Sequence, residues 1–281
     1  MLRRLLPVFA VLVASCTQVP QPEPTVLGGS VGDGGASLPC ADAASSGGPR
    51  VLLYGRQIDW DHPSNPVAQA VLSNTGLARG WFVVATNDPK TFTPAFLRDY
   101  DAVVFVITSG NTLDASQRAA FQGFINQGGG FAGTHAAAYT EVDWPFMRSL
   151  LGVRFLGHPP IQEADLTVDD PADPIVNHLP RPWRRSDEWY TFDGRPEEDP
   201  SLHILLSLVE PPGYPGAGFP PALAVGKHPV AWRHEVAGGR AFYTALGHTV
   251  ESWSEPAMVE HMARGIEWVA DPSRRRRACA R

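Results

Sequence analysis

The sequence predicts an α/β domain in three layers, a mainly parallel central sheet between two layers of helices, and three observations carry that prediction. Short apolar runs alternate with amphipathic stretches through the first half of the chain, the pattern of parallel strands covered by helices on both faces. The helical stretches start and stop on residues that cap helices. From about Val51 to Ala270 the chain offers roughly 200 residues, enough for one domain with a sizeable core.

The runs Val51 to Tyr54 (VLLY), Phe82 to Ala85 (FVVA), Ala102 to Ile107 (AVVFVI) and Phe131 to Gly133 (FAG) read as strands. After the first, Ser64 or Asn65 can cap a helix that has Pro66 in its first turn and ends near Gly76 or Gly80. Asp114 with Gln117 makes a capping box for a later helix, whose Phe121, Phe124 and Ile125 share one face before Gly128 stops it. From Trp144 on, Pro and Asp become frequent. Strand-like pieces then follow closely without long helices between them: Trp189 to Phe192, His203 to Leu208, Pro229 to Arg233 and Ala241 to Leu246. They predict an antiparallel extension of the sheet with an insertion, closed by an amphipathic helix from Pro256 to about Val269.

The leading residues MLRRLLPVFAVLVASC place Arg3 and Arg4 before an apolar run and finish on small residues, the build of a secretory signal. Leu5 to Ala14 is far short of the roughly 20 apolar residues of a spanning helix. Val13-Ala14-Ser15-Cys16 resembles a bacterial lipobox. Residues 1–15 are therefore expected to be a lipoprotein signal peptide and Cys16 the lipidated start of the mature chain; an ordinary signal that contains a cysteine is the alternative. Thr17 in second place resembles outer-membrane sorting, so the expected location is the outer membrane or cell envelope, facing the periplasm or the surface. Residues 16–49 carry Gln, Pro, Gly, Ser and Ala with almost no large apolar side chains and read as a flexible tether. Residues 50–271 are the domain, and 272–281 a basic tail whose Arg274 to Arg277 read as a solvated end. With Cys16 lipidated, Cys40 and Cys279 remain in an oxidising compartment, either as a disulfide between the domain's flanks or as two free thiols. The net charge of −6, more negative still once Arg3 and Arg4 are removed, argues against a nucleic-acid partner.

In an open parallel sheet the ligand crevice lies beyond the carboxyl ends of the strands. Three histidines fall there: His62 in the loop after the first strand, His135 directly after the fourth within GGGFAGTHAAA, and His248 after the Ala241 to Leu246 strand. Imidazole suits proton transfer near neutral pH and metal binding. Gly128 to Gly130 swing the chain into a buried strand, while Gly133 and the small Ala136 to Ala138 let it turn sharply and present Thr134 and a solvent-facing His135, much as a nucleophile elbow does. A tight structural turn with a satisfied histidine is the plainer reading. Tyr139, His158, Asp187, Glu188, Tyr190 and His228 are further polar candidates. Carboxylates and imidazoles together run acid and base steps or hold a divalent metal; with no HExxH or comparably spaced pair, the cofactor is read as none or a divalent metal. Trp144, Tyr190, Trp232 and Trp253 suit stacking on sugar rings or burial in the core, and for Trp232, inside a strand, the core is preferred.

The segments DHPS (Asp61 to Ser64), YDAVVFVITSGNTL, GGGFAGTHAAA, LLGVRFLGHP, DEWYTF, HPVAWRHEVAGGRAFYTALGH and the final helix are similar, in order, to ThuA-like (trehalose-utilisation) domains. That resemblance implies a class I glutamine-amidotransferase-like, flavodoxin-like fold. In amidotransferases the elbow holds a cysteine. Here it holds His135, and no cysteine lies between Cys40 and Cys279, so thiol-based glutamine hydrolysis is excluded, because imidazole cannot form the thioester. No GxSxG is present.

The resemblance implies action on a carbohydrate, trehalose or a related disaccharide, with the lipid anchor joining the chain to a membrane. His135 and His248 would share acid and base roles with Glu188. His62, Tyr139, His158, Asp187, Tyr190 and Trp253 would hold the substrate. The rival is a non-catalytic, membrane-tethered carbohydrate-binding module. Convergence of His135, Glu188 and His248 favours an enzyme, whereas a shallow aromatic groove favours binding.

Overall fold

The computed structural model describes residues 26–27, 47–211, 214 and 227–271. The expected signal peptide, Cys16, the Cys40 and Cys279 pair and the basic tail lie outside the described residues. The four apolar runs form β2 (Arg50–Tyr54), β3 (Phe82–Thr86), β4 (Ala102–Val106) and β5 (Gly130–Thr134). The strand expected at Ala241 to Leu246 in the antiparallel extension is corrected: as β12 (Gly239–Thr244) it pairs in parallel with β5 and joins the parallel strands, its antiparallel neighbour being the strand before it in the chain. Across the sheet these run β3-β2-β4-β5-β12, the 2-1-3-4-5 order of a doubly wound sheet. Within the stretch read as a tether, the two-residue β1 (Val26–Leu27) pairs antiparallel with β3.

Every residue of β4 and β5 is buried, as expected where helices cover both faces of a strand. Helices α1 (Ser64–Ala78) and α5 (Pro256–Val269) pack together, and α5 lies on β5 and β12. A Cβ on Gly130 would stand 2.3 Å from the carbonyl oxygen of Val269 in α5, whereas the next residue, Phe131, meets Phe121 of α3 (Ala115–Asn126) at 6.1 Å between ring centroids. Successive strand residues point to opposite faces, so α5 and α3 cover opposite sides of the sheet.

The capping box of Asp114 and Gln117 is formed. At α1 the expectation is corrected: Pro63 is the cap, no side chain caps the helix, and Ser64 and Asn65 lie inside it. Asn65 instead donates from Nδ2 to the carbonyls of Gly55 (2.9 Å) and Val106 (2.7 Å), tying the ends of β2 and β4 together.

Beyond β12 the sheet continues antiparallel through β11 (His228–Val236), β10 (His203–Val209), β7 (Gln162–Val168) and β8 (Trp183–Asp187). The strand expected over Trp189 to Phe192 is corrected as well. Pairing ends with β8 at Asp187; Thr191–Phe192 (β9) joins β6 (Phe155–Gly157) in a second small sheet, leaving Glu188, Trp189 and Tyr190 as the bend between them.

Were the sheet flat, four strand spacings would set β8 about 19 Å from β12. Yet the Asp187 carboxylate accepts the backbone N–H groups of Gly247 (2.9 Å) and His248 (3.1 Å), just past the end of β12. The sheet therefore curls until its antiparallel arm closes over the carboxyl edge of the parallel strands. Arg185, inside the same closure, donates to Asp187 at 3.0 Å and to Ser252 at 2.8 Å. Both side chains of this ion pair are buried. Removing one partner of such a pair strands the other charge and costs about 3–5 kcal/mol. Asp187→Ala should lower stability by that amount in urea unfolding; an unchanged midpoint would show that the carboxylate does not hold the curl.

On the α5 face, His261 is fully buried against Phe242 and Trp183. Burial, with the nearby charges of His178 and Arg185, pushes its imidazole down to about 3 from an ordinary 6.5. The folded protein thus keeps His261 neutral, while the unfolded chain takes up a proton below pH 6.5. Its contribution to stability is present above that pH and is lost as pH falls toward 3. The urea midpoint should fall across this window, and less steeply in His261→Met; an equal slope in the variant would rule out His261 as a source of acid sensitivity.

Candidate functional site

The loops that follow β2, β5 and β12 all emerge at one edge of the sheet, and each brings a histidine there. His62 sits in the first, half-buried, with Nδ1 3.0 Å from the Gln57 amide nitrogen, which also donates to the Ile107 carbonyl. His135 is the first residue after β5, at φ 51°, a left-handed conformation that a non-glycine residue holds only where the surroundings impose it. The constraints are visible: Tyr243 donates its hydroxyl to the His135 carbonyl (2.9 Å), and Thr134 donates to the Leu246 carbonyl (2.7 Å). Chain compaction also needs Gly133, because a Cβ there would crowd Ala137 and Phe131, each at 3.1 Å. The turn continues as a 3₁₀ segment, His135–Tyr139.

His135 is fully buried, which corrects the expectation of a solvent-facing ring. Its Nδ1 lies 3.0 Å from the Ala245 carbonyl. A carbonyl only accepts, so Nδ1 carries the proton and, in the neutral ring, Nε2 turns its lone pair outward. Three polar atoms surround that lone pair: the Tyr190 hydroxyl at 2.8 Å, His248 Nδ1 at 3.1 Å and Glu188 Oε2 at 3.5 Å. Glu188 Oε2 also stands 3.1 Å from His248 Nδ1 and 3.3 Å from His158 Nε2. The His62 ring lies edge-on, with centroids 5.0 Å from His135 and 5.3 Å from His248.

The environment divides the charges. Burial alone would raise the Glu188 carboxyl, but the neighbouring imidazoles of His135 and His248 outweigh it and hold the group well below the usual carboxylate range. Burial would lower His248, yet the hydrogen bond and charge of Glu188, with the charge of Asp187, bring it above its ordinary value. His62 goes the other way, down to about 4, through burial and then repulsion from the two other imidazoles. Burial pushes the Tyr190 phenol well up. The environment thus favours charge on Glu188 and His248 and the neutral forms of His62 and Tyr190.

The other expected ligand contacts fall elsewhere. Asp187 and Trp253 are corrected: both are buried, and both serve the loop that carries His248. The carboxylate of Asp187 is taken by backbone N–H groups, and the Trp253 indole donates to the Gly247 carbonyl at 3.0 Å. Tyr139 contacts Phe155 at 5.9 Å, and Phe155 in turn contacts Tyr190 at 4.3 Å, so its ring is one side chain removed from the cluster. Trp232 is in the core, donating to the Leu151 carbonyl, and Trp144 packs on Phe146. His228 lines a neighbouring recess with Thr191, Arg195, Glu197, Glu210 and Lys227. The polar groups there have partners, His228 with Glu210, Arg195 with Glu197 and Lys227 with Asp169, whereas in the histidine cluster three ring nitrogens face one carboxylate oxygen.

Two residues escaped the sequence reading. Gln57 orients His62. Trp60, 60% exposed, is a bare indole two residues before His62, its backbone clasped by the Ser109 hydroxyl beyond the end of β4. A large aromatic residue between Asp59 and Asp61, in a loop that has no core to fill, was the available signal.

Comparison with known proteins supplies the family and the fold. The family model described as ThuA, trehalose utilisation, matches residues 50–269. A putative ThuA-like protein from Bacteroides uniformis superposes with a TM-score of 0.68 at 23% identity, covering 85% of this chain and 95% of its own. One from Parabacteroides merdae gives 0.65 at 21% identity, covering 80% and 90%. A cytoplasmic protein of Salmonella typhimurium, STM3548, gives 0.51 at 12% identity, covering 78% and 98%. A search of curated proteins finds no match. With the family model spanning the sheet from β2 to β12 and all of the clustered histidines, this chain belongs to the ThuA family.

Proposed function

We propose that this chain is an exported lipoprotein that acts on a small carbohydrate, trehalose or a related disaccharide, by acid–base chemistry at His135, Glu188 and His248. The observation that carries the reading is the convergence of these three groups, with Tyr190, around one point. Glu188 favours the protonated form of His248, which can then give a proton to a departing sugar oxygen, while the outward lone pair of His135 Nε2 accepts one. Tyr190 and His158 frame the acceptor side, and His62 with the exposed indole of Trp60 lies where a sugar ring would stack. We read the fold as the three-layer, class I glutamine-amidotransferase-like sandwich with its nucleophile replaced. Support comes from the 2-1-3-4-5 strand order and from the left-handed residue at the tip of the turn after β5.

A second reading, a tethered carbohydrate-binding module, draws on the exposed Trp60. The two part on one experiment. Protein beginning near Pro49 is offered a panel of disaccharides and their keto forms, with product analysis. Glu188→Gln should lower turnover by at least about a hundredfold, the scale of general acid–base assistance, and Trp60→Ala should raise KM with kcat little changed. Sugar binding without any product in the parent protein would leave the module as the reading.

Anchoring rests on the signal-like leader and Cys16. Full-length parent should fractionate with membranes and Cys16→Ala should not; equal partition of the two would remove the lipid anchor.

A further inference from the structure

The cluster has more nitrogen and oxygen donors than protons to share among them. His135 Nε2 offers one lone pair to three polar neighbours, and Glu188 Oε2 faces the ring nitrogens of three histidines. Hydrogen bonding satisfies some of these contacts and leaves others as lone pairs confronting each other, which is costly in a buried site. A cation at the centre removes the conflict.

The spacing fits one. An ion in tetrahedral coordination, with bonds of about 2.0–2.1 Å, holds its ligand atoms about 3.3 Å apart. The three edges between His135 Nε2, His248 Nδ1 and Glu188 Oε2 measure 3.1, 3.1 and 3.5 Å. His62 supplies a fourth donor, all four ligand atoms lying within 4.8 Å of one another. The supporting contacts also suit a metal. His135 gives its other ring nitrogen to a backbone carbonyl, which fixes the tautomer and aims the lone pair, and Asp187 clamps the loop that carries His248.

We infer that His135, His248, Glu188 and His62 form a binding site for one divalent first-row transition ion, of the borderline kind that takes imidazole and carboxylate together, with Zn²⁺ the matching probe. The assignment rests on the proposed reading of this cluster as the reactive centre and deepens it. With the ion in place, the nitrogens of His135 and His248 would be ligands and not proton carriers, and the buried Tyr190 hydroxyl and His158 would be the polar groups left beside it.

The test strips the full domain with a chelator and titrates Zn²⁺ by calorimetry, with Co²⁺ absorption as a second readout. One ion per chain, a raised Tm and the visible bands of four-coordinate Co²⁺ are expected. Glu188→Gln and His248→Ala should each weaken binding at least about tenfold. Asp170→Asn, in the separate group of Asp170, Asp173 and His203, should leave it unchanged. Circular dichroism checks each fold, and should either cluster variant unfold, the half-exposed His62→Ala carries the same comparison. No uptake at millimolar Zn²⁺, or uptake that the cluster variants do not diminish, overturns the site. Uptake without turnover of any sugar sinks the carbohydrate reading and leaves the ion; sugar turnover with no ion bound does the reverse.

Discussion

A single carboxylate closes this structure on itself. Asp187, at the last position of the outermost strand, reaches back to the peptide N–H groups of Gly247 and His248 and holds Arg185 within the same buried contact. Three strands separate the two ends of that link along the sheet. Each acceptor bond to a carboxylate is stronger than a neutral one, and burial makes the loss of any one expensive. The curl of the sheet, the position of the His248 loop and the place of Glu188, the next residue in the chain, all follow from it.

Four of the parallel strands, β2 to β5, were legible because they are covered on both faces and appear as unbroken apolar runs, each ending in a glycine or polar turn; β12, set between antiparallel strands in the sequence, shows its direction only through its partner β5. β8 was not. Its buried positions are Trp183, Arg185 and Asp187, its outward ones Arg184 and Ser186, so two of three inward side chains are charged and the alternation disappears from any reading based on hydrophobicity. The bend that follows was read as strand for a related reason: Trp189, Tyr190, Thr191 and Phe192 all favour strands locally, and only the distant loop after β12 decides where pairing stops.

The three histidines were found by topology, since loops after parallel strands share an edge whatever their sequences. Adjacent carboxylates were harder. Asp187 and Glu188 are neighbours of the same chemistry, yet one is walled in and bound to backbone while the other faces three imidazoles; the difference lies in which way successive side chains of an extended segment point, and that depends on a register the sequence does not display. Trp253 followed the same logic, its indole turned inward to support a carbonyl rather than outward to a ligand.

The four groups of the cluster come from positions 62, 135, 188 and 248, and the last two meet only when the arm of the sheet has swung back over the rest. Glu188 is therefore tied to the curl and the three histidines are not: loosening the arm would take the carboxylate out of the cluster while the loops after β2, β5 and β12 still held their imidazoles at one edge.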